Sequence, residues 1–150
     1  MRTPRLLIPG LLALLALAYA AQSPAAHSSA WTIDHYYTAE TWHAFADIGA
    51  KGAGPDDIYA ARQSLNTLNG QPAGEVNGYG VNLHPPYVFF HWTATLNSGT
   101  LTLESAINMH DKAAAYSIVG GTGRYAGASG TVTLTNAGSK GSLVTVRYRR

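Results

Sequence analysis

Six histidines, His27, His35, His43, His84, His91 and His110, are the side chains in this chain best suited to move protons or hold a metal. Their spacing argues against a metal. There is no H-E-x-x-H or comparable pattern, and with no cysteine a zinc site would need ligands gathered from distant segments. Surface or hydrogen-bonded histidines are the expectation, with no metal. Asp56-Asp57, directly after Gly54-Pro55, would serve as a carboxylate pair or a calcium corner, yet two acids in that setting also make a turn and a strand cap. The serines stand in turn or strand contexts without a nucleophile elbow, so the sequence offers no Ser-His-Asp arrangement. The run Gly120-Gly121-Thr122-Gly123 fails as a phosphate cradle, because no Gly-Lys-Ser/Thr follows and Gly121-x-Gly123-x-x-x-Gly127 misses the dinucleotide spacing by one residue. A nucleotide site is not expected either.

The overall charge also narrows the partners. The chain of 150 residues is 12% charged and 46% hydrophobic, which argues for one folded domain and against disorder. Its pI near 9.0 would suggest nucleic acid, but Arg2 and Arg5 account for the excess. Removing those two from ten basic residues leaves eight, against eight acidic ones. The remaining cluster, Arg147, Arg149 and Arg150, is too small a footprint for phosphate binding, so no nucleic acid is expected. Arg2 and Arg5 precede an apolar run from Leu6 to Ala20, and Ala18-Tyr19-Ala20 has the small residues a signal peptidase needs. The run contains Pro9 and Gly10 and falls short of the roughly 20 residues that span a bilayer core. Residues 1–20 therefore read as a secretory signal, residues 21–30 as a disordered leader, and residues 31–150 as the domain. A secreted product with no membrane anchor, no lipid and no glycan is the expectation.

Any chemistry must be positioned by strands. Ile58–Leu65, Tyr87–Leu96, Thr100–Met109, Ala114–Val119, Gly130–Thr135 and Ser142–Arg149 alternate with period two, and two more strands are expected within Thr32–Ile48 and Gly74–Leu83. Asn69-Gly70, Asn97-Ser98-Gly99, His110-Asp111-Lys112 and Asn136–Gly141 supply residues that tolerate tight turns. Hairpin connections throughout, and edges that must be hidden, predict a closed eight-stranded antiparallel up-and-down β-barrel. The phase Val88, Phe90, Trp92, Ala94, Leu96 should face the interior, joined by Leu101, Leu103, Ile107 and Met109. The lumen therefore reads as apolar, with room for one small ligand or filled by its own side chains.

The stretch from Ser117 to Gly130 resembles the signature of the dirigent and allene oxide cyclase barrel superfamily: a strand ending in an apolar pair, then Gly120, Gly121, Thr122, Gly123, the aromatic Tyr125, Gly127, Ala128 and Gly130. Asp56-Asp57-Ile58-Tyr59, Gly74-Glu75-Val76-Asn77-Gly78 and Asp47-Ile48-Gly49 match more weakly and in the right order. The resemblance implies a barrel that binds a small hydrophobic metabolite and steers its stereoselective cyclisation, isomerisation or coupling without a cofactor, often as a homotrimer. It places the family's polar pocket residue at Gln63, with Tyr59 on the same strand face and Ser129 as a polar partner. Phe90, Trp92, Ile107 and Gly80 fall at ligand-shaping positions. Gly80, Ile107 and Ser129 stand where reactive groups occur in relatives, and Arg124 replaces an acid, so a non-catalytic binding or structural barrel is the alternative. Gln63 could hydrogen-bond a substrate oxygen but has no basic nitrogen.

Overall fold

A computed structural model describes residues 30–52 and 54–150. The expected signal peptide, and the expected leader up to residue 29, lie outside the described residues. Eight strands follow in order: β1 (Thr32–Ala46), β2 (Ile58–Asn66), β3 (Pro72–His84), β4 (Tyr87–Leu96), β5 (Gly99–Asn108), β6 (Ala113–Gly121), β7 (Ser129–Asn136) and β8 (Ser142–Arg149). Each pairs antiparallel with the next, and β1 returns to β8 to close the barrel. The expected fold is the observed one, and β4 and β8 begin and end where the alternation predicts.

Closure depends on β1. Its first half, Thr32–Thr38, pairs with β8, while Tyr37–Ala46 pairs with β2, so this 15-residue strand crosses from one neighbour to the other. Between Glu40 and Trp42 the register slips by one residue. Thr41 is the extra residue of this β-bulge, and its hydroxyl donates to the Arg62 carbonyl at 3.1 Å.

Inward residues alternate as the pleat requires, and Val88, Phe90, Trp92, Ala94 and Leu96 are all buried. Leu101, Leu103 and Ile107 join them across β5, and Leu101 is only 1% exposed. Burying one such leucine contributes roughly 1.5–3 kcal/mol. Met109 departs from the expectation: it is 57% exposed, because β5 ends at Asn108 and Met109 lies in the turn past the end of the strand.

The glycine signature closes one end. After β6, a short 3-10 turn at Gly123–Tyr125 drops the Tyr125 ring into the barrel end, where it is 1% exposed and meets Tyr148 edge to face at 5.3 Å. Gly123 is required there twice over: its φ is +57°, and a Cβ would lie 2.5 Å from the Ser98 carbonyl oxygen. Tyr125 thus seals the barrel end as well as covering the turn.

Candidate functional site

The lumen retains a cavity of about 50 Å³. All eight strands contribute to its wall. One side is apolar: Ala94, Leu96, Leu101, Leu103, Val132 and Val146 are among its lining residues. The other side, on β1 and β2, carries Tyr36, Thr38 and Gln63. Thr38 is buried, and its hydroxyl faces both the Gln63 Oε1 atom at 3.0 Å and the Ser64 carbonyl at 2.9 Å, which pins the amide against the wall. Tyr116 and the Trp92 indole add polar atoms from the apolar side.

The lumen tyrosines are neutral donors at ordinary pH. Burial holds the Tyr36 hydroxyl well above the usual tyrosine range, and a hydrogen bond with Tyr125 adds to the shift. Burial likewise raises Tyr116, partly opposed by its hydrogen bond with Trp92. Below Tyr36, Arg124 pairs with Asp34 at 3.4 Å, and the guanidinium lies 5.9 Å from the Tyr125 ring centre and 6.0 Å from that of Tyr148. One carboxylate oxygen of Asp34, Oδ2, is buried without a hydrogen bond. This group forms the floor.

At the opposite end the β1–β2 hairpin carries a polar rim. The Tyr59 hydroxyl donates to Glu40 Oε2, and the other carboxylate oxygen lies 2.7 Å from His43 Nδ1. The rings of His43 and Tyr59 stack with centres 6.1 Å apart. Tyr59 is pushed up to about 12 by burial and then by Glu40, so its hydroxyl keeps its proton. Polar residues thus recur along the inward face of β1 and β2 from floor to rim, at Asp34, Tyr36, Thr38, Gln63, Glu40, His43 and Tyr59, with the apolar Leu65 and Ala61 between them.

No family model matches the sequence, and no curated protein matches it. Solved structures do match the fold. A pyocyanin demethylase superimposes with a TM-score of 0.70 at 21% identity, over 78% of this chain and 99% of that one. A pterocarpan synthase dirigent protein gives 0.64 at 16% identity, over 80% and 83% of the two chains. A Diels-Alderase from Streptomyces koyangensis gives 0.64 at 18% identity, over 97% and 83%. This chain has the dirigent-type barrel fold.

Within that dirigent-type barrel, the residues predicted from sequence separate by position. Gln63 and Trp92 line the cavity. Phe90 is buried and stacks on Trp92 at 5.6 Å, above the cavity rather than on its wall. Gly80 makes room for it, since a Cβ there would lie 2.5 Å from the Phe90 ring. Ile107 is buried in the same upper layer and does not reach the cavity. Tyr59 shares the inward face with Gln63 but spends its hydroxyl on Glu40. Ser129 is exposed and pairs with Arg149; Gly130 and Val132 take the inward phase of β7, so Ser129 points away from the lumen and cannot partner Gln63. Arg124, in place of the acid some dirigent proteins carry, bonds Asp34 at the floor.

Tyr36, Thr38, Tyr116 and Glu40 were missed, and His43, expected as a surface or hydrogen-bonded histidine, is both, but its place beside Glu40 was not foreseen. The first two lie in β1, whose alternation Asp34, Tyr36, Thr38 is visible once its inward phase is fixed. Glu40 and His43 are three apart, a spacing that puts two side chains on opposite faces of a regular strand. Only the bulge at Thr41 brings them to one side. Asp57 is a cap, as one reading of Asp56-Asp57 expected: buried, it accepts from the backbone N–H of Gly54 at 2.7 Å and of Ile48 at 2.8 Å.

Proposed function

We propose that this protein is a secreted barrel that binds a small hydrophobic metabolite in its lumen and steers its cyclisation, isomerisation or coupling. The observation that carries this reading is the two-sided lumen, with an apolar wall facing a polar stripe on β1 and β2. An apolar wall gathers a hydrophobic molecule from water, while a single polar stripe fixes which edge of it faces which way. Holding one reactive conformer is itself catalytic, because the entropy of finding it is lost on binding rather than in the reaction. Cyclases, Diels-Alderases and dirigent proteins among the fold neighbours are consistent with that use.

Size sets a condition. A cavity of about 50 Å³ admits on the order of a few water molecules, so a metabolite must displace lumen side chains or project through the rim. A filled, non-catalytic barrel is the second reading, and the small cavity favours it. Native mass spectrometry of the protein recovered from its secreting host decides between them. A co-purifying apolar compound, released in Trp92→Ala and weakened in Gln63→Ala, is the expected result. An empty barrel that ignores a panel of hydrophobic probes would establish the filled-core reading. The N-terminal sequence of the exported protein, expected to begin near Ala21, tests secretion in the same sample.

A further inference from the structure

We propose that His43 and Glu40 form a general acid–base dyad at the lumen mouth, with His43 as the catalytic residue and Glu40 and Tyr59 as positioning residues. The proposal rests on the lumen-binding reading and gives it a reactive group.

The bulge in β1 puts both side chains on one face. Glu40 pairs with Gln63, a cavity-lining residue, so Glu40 stands on the lumen side of β1. His43 pairs with Ala61, which is 3% exposed and inward, so His43 stands on that side too. Thr41, the extra residue, is what reverses the phase between them. Bulges re-aim side chains in this way near functional sites, and Thr41 fixes this one through its own hydrogen bond to Arg62.

The hydrogen bonds then assign the proton. A carboxylate only accepts, so the 2.7 Å contact places a hydrogen on His43 Nδ1. The neutral ring therefore presents Nε2 as a bare acceptor, and among the described residues Nε2 has no protein partner. Tyr59 holds the second carboxylate oxygen, and its ring stacks on the imidazole, so both partners of His43 are themselves fixed. A His oriented by a carboxylate in this manner is a general base whose imidazolium is stabilised once formed.

Among the described residues the second such pair, His91 with Glu104 at 2.9 Å, lies on the outer wall against Tyr79 and has no cavity before it. The rim dyad, by contrast, shares its strand face with cavity-lining Gln63, although neither Glu40 nor His43 itself lines the cavity. The substrate class that follows is an apolar molecule with one acidic C–H or O–H on the edge that projects from the lumen, such as a phenol or an activated methylene. His43 Nε2 takes that proton, the electron pair left on the substrate forms the new bond or shifts an existing double bond, and the imidazolium returns the proton to the product. No oxidant or reductant is needed.

The probe is 5-nitrobenzisoxazole, a small planar aromatic compound. A base removes its C3 proton, the electron pair forms a nitrile, the N–O bond breaks and the oxygen leaves as a phenolate. Turnover is expected to fall at least tenfold in His43→Ala, in line with the roughly 10²–10⁴-fold of general acid–base catalysis. Tyr59→Phe, which keeps the stack and loses the hydroxyl, should lower kcat with KM unchanged. Nitrogen-15 NMR of the imidazole should show the Nδ1–H form, shifting toward Nε2–H in Glu40→Gln. Equilibrium dialysis of the same probe against wild type and Trp92→Ala reports lumen binding separately. A probe that binds the lumen while His43→Ala turns over at the wild-type rate overturns the dyad and leaves the binding reading standing. An Nε2–H tautomer in wild type overturns it whether or not the probe binds.

Discussion

Asp57 shows how one side chain can be indispensable without being reactive. Its carboxylate is 1% exposed and is held below the ordinary aspartate value of 3.8, first by the Gly54 N–H, then by that of Ile48. A depressed native pKa contributes stability that is present above the unfolded value and is lost as pH falls through the folded one. Asp57→Asn is therefore expected to melt below wild type at neutral pH, with the gap starting to narrow only as pH falls below the ordinary aspartate value of 3.8 and closing once pH passes the lowered folded value, where the wild-type carboxylate is protonated as well. Thermal melts by circular dichroism from neutral to acid pH check this; a constant gap across that range would mean that charge contributes nothing here. At this scale the sequence was partly readable. The capping role of Asp57 follows from Gly54-Pro55 ahead of it, and Gln63 follows from the resemblance. Ser129 misled because the glycine motif aligns it with a reactive position, while the pleat of β7 turns it outward.

Elements were legible wherever their pattern stayed regular. In β4 and β5, apolar and polar residues alternate with few breaks, at Phe89, Ser105 and Ala106, and Leu101 and Leu103 were placed inside from sequence alone. Leu101→Ala should destabilise the barrel by about 2–5 kcal/mol in urea unfolding, the range for emptying a close-packed leucine site. Ser129→Ala, on the exposed face of β7, should stay within about 0.5 kcal/mol. If both variants unfolded at the wild-type midpoint, the lumen packing described above would be wrong. β1 was harder to read. Its span was close, Thr32–Ala46 against Thr32–Ile48, but a bulge carries no signature that alternation can detect, so every residue after Thr41 had its face inverted in a regular reading. The rim histidine was lost for that reason.

The barrel as a whole presents an uneven exterior. Trp42 pairs across to Arg62, Ala44 to Ala60 and on to Tyr79, and Ala46 to Ile58 and on to Val81, so these residues share the outer side of β1, β2 and β3. Trp42, Ile58 and Tyr79 are all exposed there, and Trp42 remains 54% open. Exposed apolar side chains gathered on one outer face mark surfaces that associate. A homotrimer, proposed from the resemblance, would use this wall. Size-exclusion chromatography with light scattering should give three times the mass of the mature chain, and Trp42→Lys should lower it. A monomer at micromolar concentration would exclude the trimer. Closure and strand order were legible from turn spacing, whereas this patch was not, because it combines three strands whose register no single segment reveals.

The polar stripe of the lumen has a consequence for how such a barrel can change. Apart from Trp92 and Tyr116, the polar residues that line the cavity or its upper rim come from one contiguous stretch, Tyr36 to Gln63. The other six strands supply a hydrophobic mould. Recognition and scaffold are thus written in separate parts of the chain, and exchanging a single hairpin would hand the mould a different set of instructions while leaving its walls in place.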